Sequence, residues 1–74
     1  MTVEVRLFAY LREGRGNKVY LDISEGTTVQ DILDKLEIIP EHVSLILING
    51  KDATTSSVIK EGEYLTVFPP VGGG

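Results

Sequence analysis

Residues 3–9 alternate without interruption, with Val3, Val5, Leu7 and Ala9 on one parity and Glu4, Arg6, Phe8 and Tyr10 on the other. A two-residue period describes a strand with one buried face, and the first set is the core set. Residues 18–23 alternate again, with Val19, Leu21 and Ile23 inward. Between them lies Arg12-Glu13-Gly14-Arg15-Gly16-Asn17, whose glycines, charge and Asn17 suit a tight reversal. Strand, turn and strand read as an antiparallel hairpin.

The period then changes. Val29, Ile32, Leu33 and Leu36 fall at i, i+3, i+4 and i+7, one apolar helical stripe. Thr28 is the expected N-cap, and Asp31 and Asp34 follow near the positive end of the helix. The helix must end before Pro40, which pushes residue 39 out of helical geometry. So short a helix does not hold alone in water and must lie on the sheet. Residues 43–48 predict a central strand, with Ile46 and Ile48 inward, closed by the turn signal Asn49-Gly50. Lys51 to Ser57 is polar, with room for one short edge strand. Val58 and Ile59 return to the core, Lys60 to Glu63 turn, and Tyr64 to Phe68 form the last strand, with Leu65 and Val67 inward. The expected class is α+β: a mixed sheet of four to five strands with one helix packed across one face. A right-handed crossover would place the first and last strands side by side.

The 74 residues make one domain, with 42% apolar and 24% charged residues, ordinary for a globular chain. Cysteine is missing, which excludes disulfides, a thiolate metal site and a thiol nucleophile. A net charge of −4 argues against a nucleic-acid partner and favours a protein with a basic surface. No run is long enough to span a bilayer and no signal peptide is visible, so no membrane partner is expected and the expected location is cytoplasmic. His42 is the only histidine and has no partner for catalysis or metal binding. Glu61 and Glu63 read as a solvated face, and Ser56-Ser57 has no triad around it. The glycines at 14 and 16 sit in a hairpin, where a phosphate-binding loop should open a helix. The chain therefore reads as a non-enzyme with no metal site and no bound cofactor.

Two features remain. Phe8, Tyr64 and Phe68, with Leu45 and Leu47, share the face opposite the helix, and a contiguous apolar patch usually marks an interface. The expected partner contacts are Phe8, Phe68, Tyr64 and Leu47. The second is the end, Pro69-Pro70-Val71-Gly72-Gly73-Gly74. Two prolines stop the strand and favour an extended conformation. The glycines leave a thin terminus whose carboxylate could enter a narrow channel. This predicts a body over residues 1–68 and a flexible tail over 69–74, with the patch at the tail's root.

These stretches resemble a known family. The layout looks like the ubiquitin-like β-grasp fold, and Ile39-Pro40-Glu41 leading into Leu45 to Lys51 is similar to the corresponding part of ubiquitin. More closely, the chain resembles the ThiS/MoaD-type sulfur carriers. Val5 to Glu13 looks like that family's first strand and exit, and Ile48-Asn49-Gly50-Lys51 like its mid-chain turn. Glu61-Gly62-Glu63 and Phe68 to Gly74 look like its last turn, strand end and tail. Pro-Pro-Val-x-Gly-Gly is similar to the small subunit of molybdopterin synthase. The resemblance implies that an E1-like adenylyltransferase activates the carboxylate of Gly74 with ATP. A sulfur donor then gives a thiocarboxylate, and the tail enters a molybdopterin synthase large subunit to deliver sulfur to a pterin precursor. By position, Phe8 and Phe68 match the family's interface residues and Gly73-Gly74 its terminal pair. The segments after the first strand and before the last are shorter than in the molybdopterin type. A carrier for thiamine thiazole synthesis, a lysine-conjugated modifier and a non-covalent ubiquitin-like module with an unused tail are the alternatives.

Overall fold

The structure is a computed structural model that describes residues 1–70. The tail assignments on Val71, Gly72, Gly73 and Gly74 lie outside the described residues. The strands are β1 (Thr2–Leu7), β2 (Lys18–Asp22), β3 (Leu45–Ile48), β4 (Lys51–Asp52) and β5 (Tyr64–Phe68), with α1 (Val29–Lys35) between β2 and β3. They form one sheet in the order β2-β1-β5-β3-β4. β1 runs parallel to β5 at the centre, and the other pairs are antiparallel. The expected mixed sheet and the adjacency of the first and last strands are therefore observed.

Register explains the core. Val5 lies opposite Val19 on one side and Leu65 on the other, while Val67 lies between Leu7 and Ile46. These inward positions meet the helix residues Val29, Ile32 and Leu33, and all three are at most 1% exposed. Thr28 caps α1 as the sequence predicts. Its hydroxyl accepts from the Asp31 N–H at 3.2 Å, and the Asp31 carboxylate accepts from the Thr28 N–H at 3.0 Å. This reciprocal pair satisfies two orphan donors. The hydrogen bonds from Thr28 hold the Asp31 carboxyl below its ordinary range. A depressed carboxyl stabilises the fold above its unfolded-state value, and that stability fades as pH falls through the folded-state value. Thr28→Ala should cost about 0.5–2 kcal/mol, read as a shift in the denaturant midpoint, with a smaller difference from the parent in acid.

Several local readings are corrected. β1 stops at Leu7 and does not reach Ala9, which is exposed and adopts a φ of +52°. A 3-10 turn over Ala9–Arg12 replaces the strand's end and buries Leu11 instead. The Arg12 Nε takes the Leu7 carbonyl at 2.8 Å, and the Leu11 N–H takes that of Phe8 at 3.2 Å, so the ladder cannot continue. Val58 is 46% exposed because only Ile59 turns inward. β3 begins at Leu45, two residues later than its apolar run predicts. Pro69 is buried and Pro70 exposed, so the first of the six closing residues packs on the body.

Asn49-Gly50 forms the two-residue turn joining β3 to β4, with φ of +53° and +80°. Positive φ at both centres is the type I′ geometry that matches strand twist. Asn49 also fastens this turn to β5, its Oδ1 accepting from the Tyr64 N–H at 2.9 Å.

Candidate docking face

The face opposite α1 is built row by row from the same registers. Phe8 follows β1 and Phe68 ends β5, so the parallel pairing brings them side by side. Their rings stack with centroids 4.4 Å apart and planes 19° apart. Leu45 lies opposite Phe68 across β3 and is 42% exposed. Together with Tyr10, Pro69 and Pro70 they line a shallow apolar groove.

The next row holds Arg6, Thr66 and Leu47. Leu47 is half-buried and sits beside Asp52 of β4. In the row beyond, Tyr64 pairs with Glu4, and the Arg6 guanidinium lies 4.0 Å over the Tyr64 ring. Arg6 also pairs with Glu4, which lowers the Glu4 pKa. The face is therefore divided. Phe8 and Phe68 form an apolar groove, whereas Tyr64 and Leu47 share the face but lie apart from it. Tyr64 belongs to a polar strip, covered by a cation. Register shows this division, but alternation alone does not, because parity reports the face and not the row.

Tyr10, Leu45 and Pro69 complete the groove beyond the residues singled out as contacts. Tyr10 reaches it only because the chain leaves the strand at Ala9, and the edge of His42 meets its ring at 5.5 Å. Arg15 reads in the sequence simply as a turn residue. It donates to the carbonyls of Leu11, Leu36 and Glu37 at 3.2, 3.1 and 3.4 Å, tying the 3-10 turn to the C-terminal end of α1. Those are carbonyls that a helix end leaves without partners. Among the described residues no group of three or more His, Asp or Glu could hold a metal ion.

A model of the ThiS family matches residues 5–74. The chain belongs to the ThiS family. Small archaeal modifier protein 3 of Haloferax volcanii is 31% identical, with all of both chains covered. The crystal structure of small archaeal modifier protein 1 from the same organism superposes with a TM-score of 0.80 at 29% identity, covering 95% of this chain and 98% of that one. Subunit 1 or 2 in the complex of molybdopterin-converting factor from Helicobacter pylori 26695 matches with a TM-score of 0.64 at 26% identity, with all of both chains covered. This ThiS-family chain has the ubiquitin-like β-grasp fold of a family of sulfur carriers and small modifiers, as its layout indicated.

Proposed function

We propose that the chain is a sulfur carrier whose working group is the carboxylate of Gly74, and that its sulfur serves molybdopterin synthesis. The observation that carries this reading is the groove made by the stacked Phe8–Phe68 pair, which leads through Pro69 and Pro70 to the glycine end. A partner seated there holds the body in a fixed position and receives the tail. The Helicobacter pylori complex of subunits 1 and 2 supports such a partnership.

The chemistry follows from the terminus. A carboxylate is a poor electrophile. Its oxygen attacks the α-phosphate of ATP in an E1-like enzyme, releasing pyrophosphate and leaving an acyl-adenylate. A donor persulfide then attacks the acyl carbon and displaces AMP to give an acyl disulfide, and a donor thiolate breaks its S–S bond, releasing the thiocarboxylate and leaving the donor as a disulfide. In the synthase large subunit that sulfur passes to a pterin precursor. Glycine offers no Cβ, so channel walls can approach the backbone closely. The carrier supplies position and the partner supplies catalysis. The cycle is placed in the cytoplasm, with no nucleic acid or membrane involved.

A second reading is favoured by the archaeal modifier proteins, similar over all or nearly all of the chain. There the same acyl-adenylate would be taken by a lysine amine to give an isopeptide bond. Intact mass after incubation with ATP, a sulfur donor and the E1-like enzyme separates the two. An oxygen-to-sulfur exchange is expected for the carrier, and a ladder of conjugates for the modifier. A chain unchanged in mass would end both readings.

The groove gives a direct prediction. Phe68→Ala and Phe8→Glu should keep a cooperative thermal transition and weaken partner binding by about 2 kcal/mol or more, as truncated aromatic hot spots do. Loss of the transition in either variant would mean that the pair is core.

A further inference from the structure

The groove has a charged edge. Arg12 ends the 3-10 turn and is exposed, yet its guanidinium is held in place. Its Nε donates to the Leu7 carbonyl at 2.8 Å, and its Cζ lies 5.0 Å from the centre of the Phe8 ring. A guanidinium carries five N–H donors in a planar fork. One is used on Leu7, and among the described residues the other four meet no acceptor. The other two arginines differ. Arg6 is engaged by Glu4 and Tyr64, and Arg15 by three carbonyls. Arg6 also donates only through Nε, but to a carboxylate, so Arg12 is the arginine whose charge meets neither a carboxylate nor a set of carbonyls among the described residues, and it lies against the ring that floors the groove. Among the described residues, none that lines the groove is itself charged.

We infer that Arg12 is the docking groove's charged contact, and that the E1-like enzyme places a carboxylate against its fork beside the apolar group that covers Phe8 and Phe68. This rests on the reading that the groove receives the enzyme that activates Gly74. The ligand chemistry follows from the donors. A planar fork already ordered by stacking and one hydrogen bond suits bidentate pairing with a carboxylate, and less side-chain freedom remains to be lost. The chain's net charge of −4 opposes a broadly acidic partner surface. One carboxylate in an otherwise neutral or basic surface satisfies both conditions. Such a pair sets the register of docking, and hence the direction in which the tail leaves Pro70.

The test measures the Kd of the parent, Arg12→Lys, Arg12→Ala and Arg12→Glu for the E1-like enzyme of the same organism, without ATP, at low and high salt. Melting midpoints and adenylation are followed in parallel. Arg12→Glu should raise Kd at least about tenfold. Lysine should restore only part of the affinity, because it has a charge but no fork. The parent's salt dependence should flatten in Arg12→Ala. Arginine in place of the facing carboxylate should recover binding to Arg12→Glu, a rescue that a merely structural Arg12 would not show. Parent-like affinity in Arg12→Glu, or a loss seen only with ATP present, overturns the inference while adenylation of the parent keeps the functional reading. A parent chain that is neither bound nor adenylated removes both.

Discussion

Leu33→Ala is expected to destabilise the fold by about 2–5 kcal/mol, the range for large-to-small changes at sites that cannot collapse. Leu33 is 1% exposed, in the same cluster as Ile32 and the inward residues of β1 and β5. Natural domains carry roughly 0.05–0.15 kcal/mol of net stability per residue, so the loss is a large part of what a chain this short possesses. α1 has seven residues and depends on this packing to exist. The control is Leu36→Ala, at the helix's half-buried C-cap, where less contact is lost. Chemical denaturation should show a much lower midpoint for Leu33→Ala and a small change for Leu36→Ala. Equal shifts would mean that the helix does not pack through the face assigned to it.

That helix was legible because period and cap agreed. Thr28 and the apolar stripe are local signals, and local signals decide where a helix begins and which face it buries. Its stop comes well ahead of Pro40, with Leu36 as C-cap and Glu37 at a φ of +59°. The inward parity of β1, β2, β3 and β5 was legible for the same reason, although Thr66, on the outward parity of the central strand β5, is buried as well. What the sequence misplaced depends on contacts between segments distant in the chain. Ala9 looks like the next inward residue, but Arg12 returns to cap the Leu7 carbonyl and the strand ends. Arg15 looks like turn chemistry, but two of its three acceptors lie at the far end of α1. Tyr64 looks equivalent to Phe68 in parity, and only the register with β1 shows Arg6 lying over it. The candidate groove follows the same rule. Phe8, Phe68 and Leu45 could be named from alternation, whereas Tyr10 and Pro69 join them through the 3-10 turn and the packing of Pro69 on the body.

The largest functional effect is expected from the third glycine. Deleting Gly74 leaves a chain ending in Gly72-Gly73, so the reacting group is still a glycine carboxylate behind another glycine. What changes is reach, by one residue or about 3.3–3.6 Å of extended chain. Reacting atoms must sit roughly 3–3.5 Å apart, and a misplacement near 1 Å can cost on the order of 10²-fold in rate. The folded body, the Phe8–Phe68 groove and the Pro69-Pro70 lead are unchanged by the deletion. Pro69 is buried, so the reach is measured from a fixed point on the body and not from a free end. The variant should therefore fold and dock like the parent, while its ATP–pyrophosphate exchange with the E1-like enzyme falls by about 10²-fold. One added glycine errs in the other direction, where slack can be taken up, and should cost less. Exchange at the parent rate in the deletion variant, with affinity unchanged, would show that the terminus is not placed by the docked body, and the carboxylate of Gly74 would lose its assigned role.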